Sequence, residues 1–263
     1  MKKKQLFAGA AVLAMLSAGG VSTATTVLAE EGEGANYIDA TTAETEAKIT
    51  FLKDEDTGNI VDPDNPDGGD EDGNGGGVDP VDPTNPNGAE LMISYVSNLN
   101  FGTQSKSATS WNALADKVYA NEAHTETREV TPFVATKDSR GTSRKGWSLQ
   151  AKQDGVFKDG SGAVLVGAEL SLSNLRYADL KGAPNASEGK IVLGEEAKEI
   201  SLAGTDEGIG AWSLALGSLG EEPGEQGRTT NGVTLSVPST SAKNTGTYST
   251  TVTWTLSADP TAD

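Results

Sequence analysis

Apolar and polar residues alternate over several short stretches in the second half of this chain. Side chains at every second position of a β-strand share one face, so such alternation predicts strands with one buried face. Turn-forming pairs, Asp-Gly at 159–160 and Asn-Gly at 231–232, separate the stretches. Many strands with polar opposite faces favour an antiparallel β-sandwich. The stretches are Leu91–Val96, 130–135, 164–172, 233–237 and 248–256.

The longest alternation, 248–256, places Val252, Trp254 and Leu256 on one face and threonines on the other. Only 110–120 hints at a helix, so the predicted fold class is all-β. A domain of about 150 residues buries roughly 70% of its unfolded surface. The predicted domain, 89–263, is therefore long enough to hold a core of its own.

The first 29 residues have the pattern of a secretory signal peptide. Lysines at 2–4 precede an apolar run over 6–16, and Val-Leu-Ala at 27–29 fits a cleavage site. The run is too short to cross a bilayer core of about 30 Å, which argues against a membrane anchor. We therefore expect cleavage after Ala29 and a protein that works outside the cytoplasm.

Residues 54–88 read as a disordered acidic linker. They contain 11 acidic residues, no basic residue, 8 glycines and 5 of the 10 prolines. So few apolar groups cannot offset the entropy of ordering, which predicts a self-repelling, partly extended spacer. Before it, residues 30–53 form a short segment with one predicted strand at 47–52, in which Ile49 and Phe51 share a side.

Part of this linker, 70–75 (Asp-Glu-Asp-Gly-Asn-Gly), copies the first half of an EF-hand loop. Val81 occupies the twelfth position, where such a loop needs Glu, and no helices are predicted on either side. An acidic solvated linker is therefore the better interpretation, and calcium binding there stays open.

Three of the four tryptophans occur in the pattern Trp-x-Leu, which presents an indole and a leucine on one strand face. With their surroundings, two of these motifs make the chain resemble the WxL-domain surface proteins of low-GC Gram-positive bacteria. The matching segments are Asn-Phe-Gly at 100–102, Asp-Ser-Arg-Gly-Thr at 138–142 before Gly-Trp-Ser-Leu at 146–149, Gly-Ala-Glu at 167–169, and 248–260 around Trp254 and Leu256.

The resemblance implies non-covalent attachment to the cell wall through peptidoglycan, and partners that include other WxL proteins and membrane-anchored surface proteins. Carried over to this chain, the motif residues are Trp147, Leu149, Trp254 and Leu256. Two interpretations stay open for them. An exposed indole is a good platform for a sugar ring, whereas Trp and Leu alternating with Ser or Thr also describe a sandwich core. The third motif, at Trp212, lies outside the pair that names the family.

Basic residues cluster around the first motif, although the chain has a net charge of −18. Lys137, Arg140, Arg144, Lys145 and Lys152 flank Trp147, with Asp138 as the only acid between 137 and 152. We expect Arg140, Arg144 and Lys145 to contact anionic wall groups. The alternative is an ordinary solvated loop in which Arg140 pairs with Asp138.

Composition and motifs argue against several functions. The chain has no cysteine, which excludes disulfides and cysteine-based metal or catalytic sites. Its acidity disfavours nucleic-acid binding. The only histidine, His124, lies in a polar stretch, and no hydrolase, metalloprotease or phosphate-loop motif occurs. We therefore expect no catalytic residue, no cofactor, no metal and no membrane insertion.

Two further functions remain compatible with the sequence. The chain could be a subunit of a surface complex whose main ligand is another protein, since an edge strand can be donated to a partner. Adhesion to host tissue is also compatible, although no specific residue supports it.

Overall fold

The computed structural model describes residues 36–45, 47–66, 76–221 and 224–259, so the predicted signal peptide lies outside the described residues. Within these ranges the chain contains strands and turns but no helix, and none of it could cross a membrane as a helix. The strands are β1 (Asn36–Tyr37), β2 (Ala43–Glu44), β3 (Ile60–Val61), β4 (Gly77–Val78), β5 (Leu91–Val96), β6 (Ser110–Leu114), β7 (Asp116–Tyr119), β8 (Thr127–Val130), β9 (Phe133–Asp138), β10 (Trp147–Gln153), β11 (Lys158–Asp159), β12 (Glu169–Leu172), β13 (Leu175–Arg176), β14 (Asn185–Ala186), β15 (Ile191–Val192), β16 (Lys198–Ala203), β17 (Gly210–Leu216), β18 (Thr229–Ser236), β19 (Tyr248–Ser249) and β20 (Val252–Ala258).

Three four-stranded antiparallel sheets carry the main body, which confirms the predicted all-β class. Their strand orders are β13-β17-β9-β5, β14-β16-β10-β20 and β15-β12-β18-β6. Each sheet turns apolar side chains towards one shared core, which explains the alternation seen in the sequence. Its largest fully buried members include Trp147, Leu149, Leu170, Leu172, Ile200, Leu214, Leu216, Val134 and Val233.

The N-terminal unit ends at Phe51 and contains one short hairpin, in which β1 pairs with β2. The strand predicted for 47–52 was wrong, because residues 47–59 form no strand. Ile49 and Phe51 are 76% and 84% exposed, so no sheet buries the face that they were expected to share.

The described parts of the expected linker, 54–66 and 76–88, are folded against the main body, which corrects the prediction of disorder for them. We call these two parts the strap. Strands β3 and β4 form a hairpin within it, and Ile60 is buried against Tyr95 and Phe133. The compact unit accordingly begins at Leu52, not at residue 89.

Salt bridges join the strap to the main body. They explain why this acidic segment packs against the body instead of being fully solvated. Asp54 lies 2.8 Å from the ammonium of Lys137, which is nearly buried, and Asp64 lies 2.9 Å from the guanidinium of Arg176. The Lys137 hydrogen bond is the largest cause that lowers the pKa of Asp54 to about 2. Asp64 also accepts hydrogen bonds from the backbone N–H and hydroxyl of Thr131. Local composition does not reveal these partners, because they lie about 70 to 110 residues away along the chain.

Residues 110–120 form β6 and β7, so the helix hinted at there was wrong. Ala113 and Val118 are both fully buried, and β6 pairs with β18 through Trp111 opposite Leu235. Strand β6 thus pairs with a distant strand and β7 with the nearby β8, and this pairing overrides the weak local preference for a helix.

Three other strand or turn positions differ from those that the sequence predicts. The stretch 130–135 divides at Pro132, which has no N–H, and Thr131 gives its own N–H to Asp64 instead of to a neighbouring strand. The stretch 164–172 becomes a strand only at Glu169, after a turn closed by the Ala168 N–H and the Leu165 carbonyl.

The Asn-Gly pair at 231–232 lies within β18 and forms no hairpin turn. A Cβ at Gly232 would lie 2.3 Å from the Leu216 backbone, so close approach of two strands explains the glycine.

Removing the strap should destabilise the main body. A fragment covering 89–263 loses the burial of Ile60, worth about 1.5–3 kcal/mol, and leaves Lys137 without Asp54. At about 2–4 °C per kcal/mol for a domain of this size, its melting temperature should fall by about 5 °C or more relative to a fragment covering 52–263. Calorimetry of the two fragments measures this, and equal melting temperatures would show that the strap contributes nothing to stability.

Candidate functional site

The two motifs expected to define the site lie on neighbouring strands. Strand β10 carries Trp147 and Leu149, and β20 carries Trp254 and Leu256. The antiparallel register sets Leu149 opposite Leu256 and Trp254 opposite Ala151. Strand β10 lies between β16 and β20, whereas β20 is the last strand of its sheet, so the two motifs have different surroundings.

The first motif is part of the core. Trp147 and Leu149 are both 0% exposed, and the Trp147 indole N–H donates a hydrogen bond to the Gly208 carbonyl at 3.2 Å. A Cβ at Gly208 would lie 2.6 Å from the indole nitrogen, so only glycine leaves room for this packing. Neither side chain can contact a wall ligand while the domain stays folded.

The second motif is only half-buried, because no strand among the described residues covers the outer edge of β20. Trp254 and Leu256 pack against the same core on one side and reach solvent on the other. Within the described residues, the Trp254 indole N–H has no acceptor, and its nitrogen is not buried. This half of the motif pair is therefore available to a ligand.

The third Trp-x-Leu motif takes a different position, on β17. Trp212 is half-buried and donates its indole N–H to the Ile209 carbonyl at 2.9 Å. The ring of Tyr177 meets it edge-on with 6.2 Å between centroids. Because its indole N–H is already bonded, Trp212 is a poorer candidate than Trp254 for a hydrogen bond to a ligand.

A cleft of about 460 Å³ opens beside Trp254. Two buried side chains, Phe157 and Leu170, are among the residues that line it. The loop after β5 contributes Asn98 and Phe101, so two sequence segments that the resemblance singled out meet here. The lining residues, all uncharged, are Val96, Ser97, Asn98, Leu99, Phe101, Phe157, Leu170, Thr250, Thr251, Val252 and Trp254.

The charged side chains that bond to lining residues of this cleft are acidic. Asp82 accepts a hydrogen bond from the Asn98 amide at 2.8 Å, and Asp116 accepts one from the Ser97 hydroxyl. These contacts favour a neutral ligand over an anion.

Arg140, expected to contact the wall, is instead part of a structural clasp. Its guanidinium makes two hydrogen bonds of 2.9 Å to the fully buried Asp138 and one of 2.7 Å to the Gly146 carbonyl. It also lies 3.2 Å from Asp259, just past the end of β20. Asp138 is the main cause that raises the pKa of Arg140. The clasp thus ties the end of β20 to the loop before β10.

The rest of the basic cluster is also largely occupied. Lys137 is held by Asp54, and Lys152 lies 2.9 Å from Asp154. Arg144 is half-buried and donates to the Arg140 and Gly141 carbonyls. Lys145 alone is an exposed member of the cluster without an acidic side-chain partner in the described residues. A contact with anionic wall groups stays a prediction for Lys145.

The described residues show no arrangement for catalysis or metal binding. His124 is exposed, stacks on Tyr119 with 4.0 Å between centroids, and lies 2.8 Å from Asp79 of the strap. No group of three or more His, Asp or Glu residues in the described ranges could hold a metal ion. The EF-hand-like stretch at 70–75 lies outside those ranges.

Comparison with known families shows to which family the chain belongs. A family model described as a WxL domain, surface cell wall-binding, matches residues 38–260, which is most of the chain. The chain belongs to this family, and the predicted resemblance is confirmed. It is accordingly a cell-surface, cell wall-binding protein, and the family is not an enzyme family. No curated protein and no solved structure matches the chain.

Several lining residues of the cleft, notably Asn98 and Thr251, were not predicted from the sequence. Asn-Phe-Gly at 100–102 was recognised as part of the resemblance, but nothing in the sequence paired it with 250–254.

The two motif tryptophans should differ in their contribution to stability. Replacing the fully buried Trp147 by Ala should lower the free energy of unfolding by about 3–5 kcal/mol. Trp254→Ala should cost about half as much, because part of that ring already faces water. Urea unfolding of both variants measures the difference, and equal losses would contradict the asymmetry.

The contribution of the clasp to the free energy of unfolding should also be measurable. Arg140→Ala leaves the buried Asp138 carboxylate without its main partner, which should cost about 3–5 kcal/mol. The matched change Lys145→Ala, on an exposed side chain, should stay within about 0.5 kcal/mol. Chemical unfolding of the two variants tests this, and an Arg140 variant as stable as the parent would refute the clasp.

Proposed function

We propose that this protein holds itself on the cell wall by non-covalent binding to peptidoglycan, and that the β20 side of the motif pair makes the contact. Support comes from family membership and from the difference between the two motifs. Trp147 and Leu149 are enclosed in the core, whereas Trp254 lines an open cleft. In this proposal the first motif builds the domain and the second binds.

The observation that carries this proposal is the convergence of Phe101 and Trp254 on one cleft. They lie about 150 residues apart, and each belongs to a segment that the resemblance to the family singled out. Half-exposed aromatic rings beside a concave, uncharged surface are the usual composition of a ligand site.

The acidity of the chain is compatible with an anionic wall. Charge repulsion is screened beyond about 8 Å at physiological salt, so only the groups near the contact matter. Two of the acidic side chains of the strap, Asp54 and Asp64, are paired with Lys137 and Arg176. Export through the predicted signal peptide at 1–29 is part of the same proposal.

A second function, as a subunit of a surface complex, is favoured by one observation. In the described residues β20 pairs only with β10, which leaves a seven-residue edge without a neighbour. An open edge can accept a strand from another protein. A subunit of this kind would reach the wall only through its partner.

Sedimentation with purified sacculi stripped of protein tests the proposal. The mature chain should co-sediment with these sacculi in the absence of any other protein. Trp254→Ala should remain in the supernatant, whereas Trp212→Phe, which keeps an aromatic ring outside the cleft, should sediment like the parent.

Melting curves of the same samples provide the control, since a variant that has unfolded says nothing about binding. If the folded parent stays in the supernatant, direct wall binding is refuted, and the second function, as a subunit of a surface complex, is favoured. Lys145→Glu should lower the bound fraction at low salt if this residue contacts anionic wall groups, and unchanged binding would remove it from the site.

A further inference from the structure

The chemistry of the cleft selects among the components of a cell wall, and this inference rests on the proposed function. A Gram-positive wall offers neutral N-acetylated sugar rings, peptide stems with ionised ends, and polymers of phosphate. We propose that the cleft binds the N-acetylglucosamine unit of the glycan strand, with the ring of this sugar stacked on Trp254.

The indole of Trp254 has the features that such a ligand needs. One part of its ring is fixed against the core, so little side-chain entropy is lost on binding, and the remainder faces the cleft. Its N–H is free to donate to a sugar oxygen. The other three tryptophans lack this combination: Trp147 and Trp212 donate to carbonyls, and the Trp111 nitrogen is buried without a partner.

The lining matches the two-sided character of a sugar ring, which has an apolar face and polar edges. Phe101 and Val252 add half-buried apolar surface beside the indole. Asn98 and Thr251 are exposed and bring an amide and a hydroxyl to the same cleft. A volume of about 460 Å³ lies within the range of small-molecule sites.

Charge disfavours the other wall components. None of the lining residues carries a charge, so a phosphate or carboxylate would lose water without meeting a cation. Asp82 and Asp116, which bond to the lining residues Asn98 and Ser97, would repel an anion further. An N-acetylhexosamine without a free acid group avoids both costs.

Calorimetric titration with chitotetraose, a neutral β-1,4 tetramer of N-acetylglucosamine, tests this inference on the mature full chain. The parent should bind, and raising the salt concentration should leave the affinity unchanged, because a neutral ligand displaces no counterions. Trp254→Ala should weaken binding by about tenfold or more. Trp254→Phe keeps a ring and should lose about three- to tenfold, through the missing N–H donor.

The matched control is Trp212→Phe, which removes a half-buried indole from another face and should bind like the parent. If Trp254→Ala fails to fold, the Phe variant carries the comparison. Undiminished binding by the folded Trp254 variants would overturn the site. If the parent sediments with sacculi but does not bind chitotetraose, the assignment of N-acetylglucosamine as the ligand is refuted, whereas wall attachment is not. Failure of both experiments would overturn wall attachment as well, and competition by a teichoic acid would show that the cleft takes an anion.

Discussion

The antiparallel pairing of β10 with β20 is the interaction on which the rest of the molecule depends. It sets Leu149 against Leu256 and gives the two copies of one motif opposite surroundings. Strand β10 has a neighbour on each side, so its indole completes the core. Strand β20 has one neighbour in the described part of the chain, so its indole remains at the surface. A single pattern in the sequence thereby occurs in two environments, one in the core and one at the surface, and the position of each strand in the sheet decides which.

The strap determines how many of the protein's charged side chains are paired with one another. An acidic, proline-rich stretch would ordinarily be too polar to fold, yet Asp54 and Asp64 meet the cations Lys137 and Arg176 on the main body. These contacts occupy positive groups that could otherwise attract wall phosphate. Together with the clasp at Arg140, they leave few free cations around the first motif. The described surface therefore suits recognition of a neutral part of the wall better than electrostatic adhesion.

The sequence was sufficient for the fold class and for the family, because both depend on local alternation and short motifs. It was insufficient wherever a distant partner decided the outcome. Residues 110–114 became a strand through pairing with the distant β18, and the strap became ordered through cations about 80 to 110 residues away. The same limit applied to the site: Trp254 was identified by its motif, but its exposure depends on the missing neighbour of β20, which no local pattern encodes. Arg140 was a candidate ligand by composition, and the buried Asp138 showed it to be structural.

The most direct test of the central claim is to observe the four tryptophan indoles separately in the folded protein. In ¹H–¹⁵N spectra each indole N–H gives its own resonance, and soluble glycan fragments released from sacculi can be added stepwise. The Trp254 resonance should shift while those of Trp147 and Trp212 stay in place. Binding that leaves the Trp254 resonance unmoved would contradict the proposed site.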